Sequence, residues 1–291
     1  MKSINLEVKA GESIGYLGPN GAGKTTTIQI LLNLLRPSNG DVYIFGEQMQ
    51  GQERKILRRI GALVELPGFY DYLSPDHILY HICKVYRMNK TLTKQRIRET
   101  LKLVRLSEVQ HRPVGTFSTG MRRRLGIAQV LVHDPELLIF DEPTNGLDPK
   151  GVREMRDLIK SLNADGKTVF MSSHNLPEVT EISERVLFLR KGEIIEDTRI
   201  MDLKDRLSSN QIEIKFVRDL NDEECKALAS VKGITNVYGE YNRFLEYDGN
   251  PESTHLILKE IMNSGLPLNA FMPRAITLEE LYLHLFGSEV A

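Results

Sequence analysis

Apolar and polar positions alternate over residues 4–8, and a near-continuous apolar run follows at Ser13–Leu17, with Gly11-Glu12 between them; the pattern predicts two strands joined by a turn. From Thr26 to Leu35 the apolar residues take helical spacing, and the pattern stops before Pro37. Strand patterns return at Asp41–Phe45, between Gly40 and Gly46, and at Ile60–Val64 after a short charged helix. From Pro75 to about Leu106 the spacing is helical. Apolar runs at Leu137–Phe140 and Thr168–Met171 then flank a helical stretch at 150–163. Near-continuous apolar strands separated by helices predict a parallel sheet covered on both faces. The all-helical interruption over about residues 70–130 predicts a helical subdomain set into that α/β alternation.

After Leu207 the character changes. Residues 211–217 alternate as a strand, 221–230 are helical, 234–238 and 244–247 form a strand pair, 252–262 are helical, 266–272 strand-like and 278–286 helical. The order is that of a small β-α-β-β-α-β sandwich, a ferredoxin-like α+β unit. The chain of 291 residues is therefore expected to divide into domains 1–207 and 208–291. The second carries no clustered catalytic residues, and a structural or subunit-contact role is expected of it.

Composition narrows the classes. Hydrophobic content of 41% and charged content of 26% describe an ordinary globular protein. A net charge of −1 argues against a nucleic-acid-binding surface spread over the molecule. The best apolar run, Leu137–Phe140, ends at Asp141 and is far too short for a bilayer, and Met1–Asn5 already leads into the fold, so no secretory signal is expected. Cys83 and Cys225 stand alone and read as reduced thiols of a cytosolic protein. His77 and His81 are spaced i, i+4, but position 78 is Ile where a zinc-protease helix has Glu; they read as a helix face.

The chemistry begins at Gly18-Pro19-Asn20-Gly21-Ala22-Gly23-Lys24-Thr25-Thr26, which meets the pattern G-x-x-x-x-G-K-[ST] in full. A strand precedes it and a helix follows, the context in which glycine-rich backbone N–H groups and a helix N-terminus cradle phosphates. In that frame Lys24 reaches the β- and γ-phosphates of a nucleoside triphosphate and the Thr25 hydroxyl ligates Mg²⁺. Asp141 and Glu142 close the buried strand at 137–140, which delivers both acids to the carboxyl edge of the sheet. Asp141 is expected to bind Mg²⁺ and Glu142 to polarise the attacking water. His174, one strand further on, is expected to hold Glu142 and water in place. Ser118 caps a helix that continues through Thr119, Gly120 and Met121 and offers a second phosphate clamp; Arg122–Arg124, on its first turn, are expected to form a solvated or acid-paired face.

These segments, with Gly146-Leu147-Asp148-Pro149 and Ser173-His174, stand in the order and approximate spacing of an ATP-binding cassette (ABC) ATPase, which the chain resembles over about residues 1–205. The resemblance implies a P-loop NTPase fold, ATP and Mg²⁺ as ligands, and two cassettes closing head to tail as a homodimer. ATP at Lys24 of one copy would then be capped by Ser118, Thr119, Gly120 and Met121 of the other, near its Asp148. Leu63–Tyr70 and Thr277–Tyr282 look like the drug-, bacitracin- and lantibiotic-export branch, which implies membrane permease partners docking near Phe69–Leu79, a peripheral place on the cytoplasmic face of the membrane, and no nucleic acid. The alternatives are a soluble ABC ATPase without a transport role and a truncated, weakly active nucleotide-binding module.

Three departures from the family pattern stand out. Glu65 takes the place of a Gln that ligates Mg²⁺; a carboxylate can still ligate the ion, but its charge would alter nucleotide affinity and opposes a phosphate. Thr119 replaces a frequent glycine. The family resemblance implies a further N-terminal strand region with an adenine-stacking aromatic ahead of Met1, for which Tyr16, inside the following strand, is not a substitute; either weaker adenine binding or a start codon placed too late is the expectation.

Overall fold

In the computed structural model, residues 2, 4–64, 68–203, 211–238, 243–247 and 251–274 are described. Glu65, the segment at 277–282 and the expected helix at 278–286 lie outside them. The chain forms two compact units, Met1–Ile200 and Met201–Ala291.

In the first unit, in chain order, the strands are β1 (Ser13–Leu17), β2 (Tyr43–Ile44), β3 (Glu47–Gln48), β4 (Ile60–Leu63), β5 (Leu137–Asp141), β6 (Thr168–Ser173), β7 (Arg185–Arg190) and β8 (Glu193–Arg199). The helices are α1 (Lys24–Leu31), α2 (Glu53–Leu57), α3 (Pro75–Val85), α4 (Lys90–Leu103), α5 (Thr119–Leu131), α6 (Pro149–Ala164) and α7 (Leu176–Ile182). Six strands form one sheet in the order β4-β5-β6-β1-β7-β8. The pairs β4/β5, β5/β6, β6/β1 and β1/β7 are parallel, and only β8 runs antiparallel at the edge. Every residue of β1 and β6 is buried, as the continuous apolar runs require of strands covered on both faces. Ile14, Tyr16, Ile28, Ile139, Phe170 and Leu187 form the centre of the core between α1 and the sheet. Helices α3, α4 and α5 pack on one another and make up the expected helical subdomain.

Two expected strands change. Residues 4–8 are not a strand: Ile4, Leu6 and Val8 pack on the core, but the Glu7 carbonyl accepts from the Arg185 guanidinium at 3.1 Å rather than from a neighbouring strand. The run at 41–45 shrinks to Tyr43–Ile44, because Phe45 and Gly46 both take positive φ and turn the chain into a hairpin with β3.

The second unit holds β9 (Gln211–Phe216), α8 (Asp222–Ala229), β10 (Ile234–Tyr238), β11 (Arg243–Tyr247), α9 (Pro251–Asn263) and β12 (Leu268–Arg274). Its antiparallel sheet has the order β10-β11-β9-β12, as the β-α-β-β-α-β pattern predicts. Ile212, Ile214, Leu228, Leu245, Ile257 and Ile261 fill its own core.

Candidate functional site

Strands β1, β5 and β6 are adjacent and parallel, so the segments leaving their carboxyl ends meet at one edge of the sheet. From β1 comes the glycine loop. Gly18 is buried, and a Cβ built on it would lie 2.3 Å from the Leu189 carbonyl oxygen, a backbone contact that no side chain could share. Gly23, at φ 111°, turns the chain into α1, whose first residue is Lys24. A glycine loop that runs directly into a helix N-terminus is the arrangement that favours an anion. Lys24 is 6% exposed, donating to the carbonyls of Gly18 at 2.7 Å and Pro19 at 3.2 Å. Its ammonium stands 3.3 Å from Glu142 Oε1.

From β5 come the two acids. Thr25 Oγ1 donates to Asp141 Oδ2 at 2.7 Å, and the Ser172 hydroxyl donates to Asp141 Oδ1. Glu142 takes the left-handed conformation at φ 48°, which costs a non-glycine residue about 1 kcal/mol. Its amide donates to Ser172 Oγ at 3.0 Å, and that contact supports the turn. His174, just beyond β6, lies with Nδ1 2.6 Å from Glu142 Oε2. Lys24, Thr25, Asp141, Glu142 and His174 are thus brought into one connected set. Thr25, Arg123, Asp141, Glu142 and Val64 line a cleft of roughly 450 Å³ there.

Ser118 caps α5, its Oγ accepting from the Met121 amide at 3.3 Å, and Asp148 caps α6, Oδ1 accepting from the Gly151 amide at 3.0 Å. No contact within the chain joins Ser118, Thr119, Gly120, Met121 or Asp148 to Lys24 among the described residues; Ser118, Thr119 and Asp148 are exposed. A Cβ at Gly120 would meet nothing within 4 Å.

Two residues that contact the acid pair are not among those the sequence pattern singles out. Ser172 follows the apolar run that ends at Met171, and nothing in the local pattern singles it out. Arg123 was grouped with Arg122 and Arg124 on a solvated or acid-paired face, and the structure separates them. Arg122 pairs with Asp71 at 2.8 Å and Arg124 with Glu154 at 3.8 Å, whereas Arg123 is buried and bonds the backbone of Glu142 and Pro143. Helical periodicity could have found it, since it is followed by the buried Ile127 and Val130 four and seven residues on.

Tyr16 is wholly buried, its hydroxyl 3.0 Å from Thr27 Oγ1, and burial pushes its pKa up to about 12. It is a core residue. Cys83 is buried, Cys225 half-buried, and no cluster of three or more His, Cys, Asp or Glu suited to a metal occurs among the described residues. No described helix is long and apolar enough to cross a membrane.

A glycine loop on a helix N-terminus, with a lysine at its end and two acids at the end of the next strand but one, defines a P-loop NTPase of the cassette type. The ABC transporter family pattern matches residues 1–145. The bacitracin transport ATP-binding protein BcrA of Enterococcus faecalis is 32% identical over 290 residues, which span 99% of this chain and 91% of that protein. BcrA of Bacillus licheniformis is 47% identical over 204 residues, covering 70% of this chain and 66% of the relative, somewhat less than two thirds of its length. The ATP-binding cassette MJ0796, solved as a dimer in a post-hydrolysis state with ADP and Pi, superposes with a TM-score of 0.62 at 29% identity, over 69% of this chain and 90% of its own. The chain belongs to the ATP-binding proteins of the ABC transporter family.

Proposed function

We propose that this protein is the ATP-binding and ATP-hydrolysing subunit of an ABC exporter of drugs, peptides or antibiotics, working as a head-to-tail homodimer beneath a separate membrane permease at the cytoplasmic face. The observation that carries the reading is the connected set Lys24, Thr25, Asp141, Glu142 and His174 at the mouth of the glycine loop. The bacitracin transport role in the names of two relatives supports the substrate class.

The amides of Gly18–Thr26 would hold the phosphates, and Lys24 would neutralise charge on the β- and γ-phosphates. Thr25 Oγ1 and Asp141 supply oxygen only, a donor set suited to a hard divalent cation. Mg²⁺ held by Thr25 and Asp141, with Glu65 as a further ligand, would supply charge neutralisation on the same phosphates. Glu142 would accept a proton from water, and His174 would hold the carboxylate that does so. Ser118, Thr119, Gly120, Met121 and Asp148 would serve the ATP of the second copy; the exposure of Ser118, Thr119 and Asp148 and the open space at Gly120 support this. Closure around two ATP and reopening after hydrolysis would drive the permease. Within the expected docking stretch, Tyr70 and Tyr72 are exposed while Ile78 and Leu79 are core, so the first pair would carry the contact.

Glu142→Gln tests the catalytic assignment. A fluorescent ATP analogue should bind as before, turnover should fall at least about a hundredfold, and an ATP-dependent dimer should accumulate in light scattering. Unchanged turnover would remove Glu142 from this role.

A further inference from the structure

Arg123 begins the second turn of α5, five residues after Ser118, yet its side chain runs away from the capping segment into the sheet edge. It is 8% exposed. Its Nε donates to the Pro143 carbonyl at 2.8 Å and its Nη2 donates to the Glu142 carbonyl. Among the described residues it makes no ion pair within 4 Å, so a buried guanidinium is spent on two backbone carbonyls rather than on a carboxylate. Burial of such a cation is costly, and a neutral donor of the same shape would serve a purely structural bond at less cost. Burial does lower the Arg123 pKa, while the charges of Asp141 and Glu142 oppose the shift.

The two carbonyls it holds belong to the turn where Glu142 takes φ 48°. The Glu142 peptide is thereby gripped from both sides, its amide by Ser172 Oγ and its carbonyl by Arg123. A left-handed non-glycine residue persists only when its surroundings over-determine it. The fork of a guanidinium suits that task, because two donors fixed in one plane set both the position and the tilt of the turn.

We propose that Arg123 is a positioning residue for ATP hydrolysis: it holds the Glu142–Pro143 backbone so that the Glu142 carboxylate faces the γ-phosphate side of the glycine loop. The inference rests on the reading of Glu142 as the group that activates water. It also ties that group to α5, whose first residues would cap the ATP of the second copy, so one guanidinium joins the capping segment to the base.

The test compares Arg123→Ala and Arg123→Lys with Glu142→Gln and with the double variant Arg123→Ala/Glu142→Gln, all as full-length protein. Turnover, binding of a fluorescent ATP analogue, ATP-dependent dimer and melting temperature are measured for each. Arg123→Ala is expected to lower kcat about ten- to a hundredfold, the range found for residues that orient a reacting group. ATP binding should persist, and the ATP-bound dimer should accumulate as it does in Glu142→Gln. The double variant should turn over no more slowly than Glu142→Gln alone, since both changes act through one carboxylate. Arg123→Lys, which keeps the charge but has its donors on a single nitrogen, should recover part of the rate.

A merely structural Arg123 would give the opposite split, with dimer and turnover lost together in proportion to folded protein. That outcome, an unchanged kcat in Arg123→Ala, or additive losses in the double variant would overturn the inference while leaving the ATPase reading intact. If Arg123→Ala does not fold, the decision passes to Arg123→Lys, where full wild-type kcat with intact folding overturns it. Wild-type turnover in Glu142→Gln would overturn the ATPase assignment of Glu142 and this inference with it.

Discussion

The Ser172 hydroxyl donates its proton to Asp141 and accepts the amide proton of Glu142 at 3.0 Å, so one wholly buried side chain at the end of β6 aligns both acids at the end of β5. The parallel register that sets Asp141 opposite Ser172 makes this possible. A hydroxyl is the smallest group that can donate to one neighbour and accept from the other, which is the role this position requires.

Ser172→Ala is accordingly expected to leave Asp141 Oδ1 short of a partner and the Glu142 amide with only the Ser172 carbonyl, at 3.3 Å. The cost in stability is about 1–3 kcal/mol, the usual consequence of leaving a buried polar group unpaired. Asp141 would lose its orientation toward Thr25 as well, so the Mg²⁺ concentration for half-maximal ATPase should rise about tenfold or more. ATPase titrated with Mg²⁺ at saturating ATP checks this; a variant with the wild-type Mg²⁺ requirement would show that Thr25 alone orients Asp141.

Much of this site was legible because its parts are local in sequence. The glycine loop carries its own strand and helix, and Asp141-Glu142 follow directly from the apolar run that forms β5. What stayed hidden depends on contacts distant along the chain. Ser172 acquires its role only when β6 pairs with β5, 31 residues from Asp141. Arg123 looks like any basic residue until α5 is packed against the β5 turn. The hairpin of β7 and β8 was passed over although Lys191-Gly192, both at positive φ, is the kind of two-residue turn that joins antiparallel strands. Residues 4–8 show the opposite error: alternation reports which side chains are buried, and says nothing of whether the backbone finds a neighbouring strand.

Tyr16 gives a prediction in pH. Its folded pKa of about 12 lies above the ordinary value of 10, because burial disfavours the phenolate. The folded chain therefore holds the phenolic proton more tightly than the unfolded chain. That contribution is fully present below about pH 10 and is lost as pH rises toward 12. Tyr16→Phe loses the contact with Thr27 and should be about 1 kcal/mol less stable at pH 8. Between pH 10 and 11.5 the deficit should shrink, since the variant has no phenol to bury. Urea unfolding of both proteins across that range measures it, and a constant difference would mean that Tyr16 does not titrate differently in the folded and unfolded chains.

Gly18 and Gly120 are both glycines of the proposed ATP site, but the chain itself explains only one of them. At Gly18 an added Cβ would stand 2.3 Å from a backbone carbonyl oxygen, so Gly18→Ala must displace either the glycine loop or the end of β7. Both the melting temperature and the affinity for ATP should fall. At Gly120 the same atom would meet nothing within 4 Å. The position lies in the first turn of α5, where an acidic side chain is favoured by the helix dipole, so Gly120→Asp should leave the fold as stable as before or slightly more so. It would, however, set a carboxylate where the second copy's phosphates are proposed to sit. Gly120→Asp in the Glu142→Gln background should therefore bind ATP normally as a monomer and fail to form the ATP-dependent dimer. Light scattering at saturating ATP decides the matter: a dimer as abundant as that of Glu142→Gln alone would mean that the start of α5 does not face a nucleotide in the second copy.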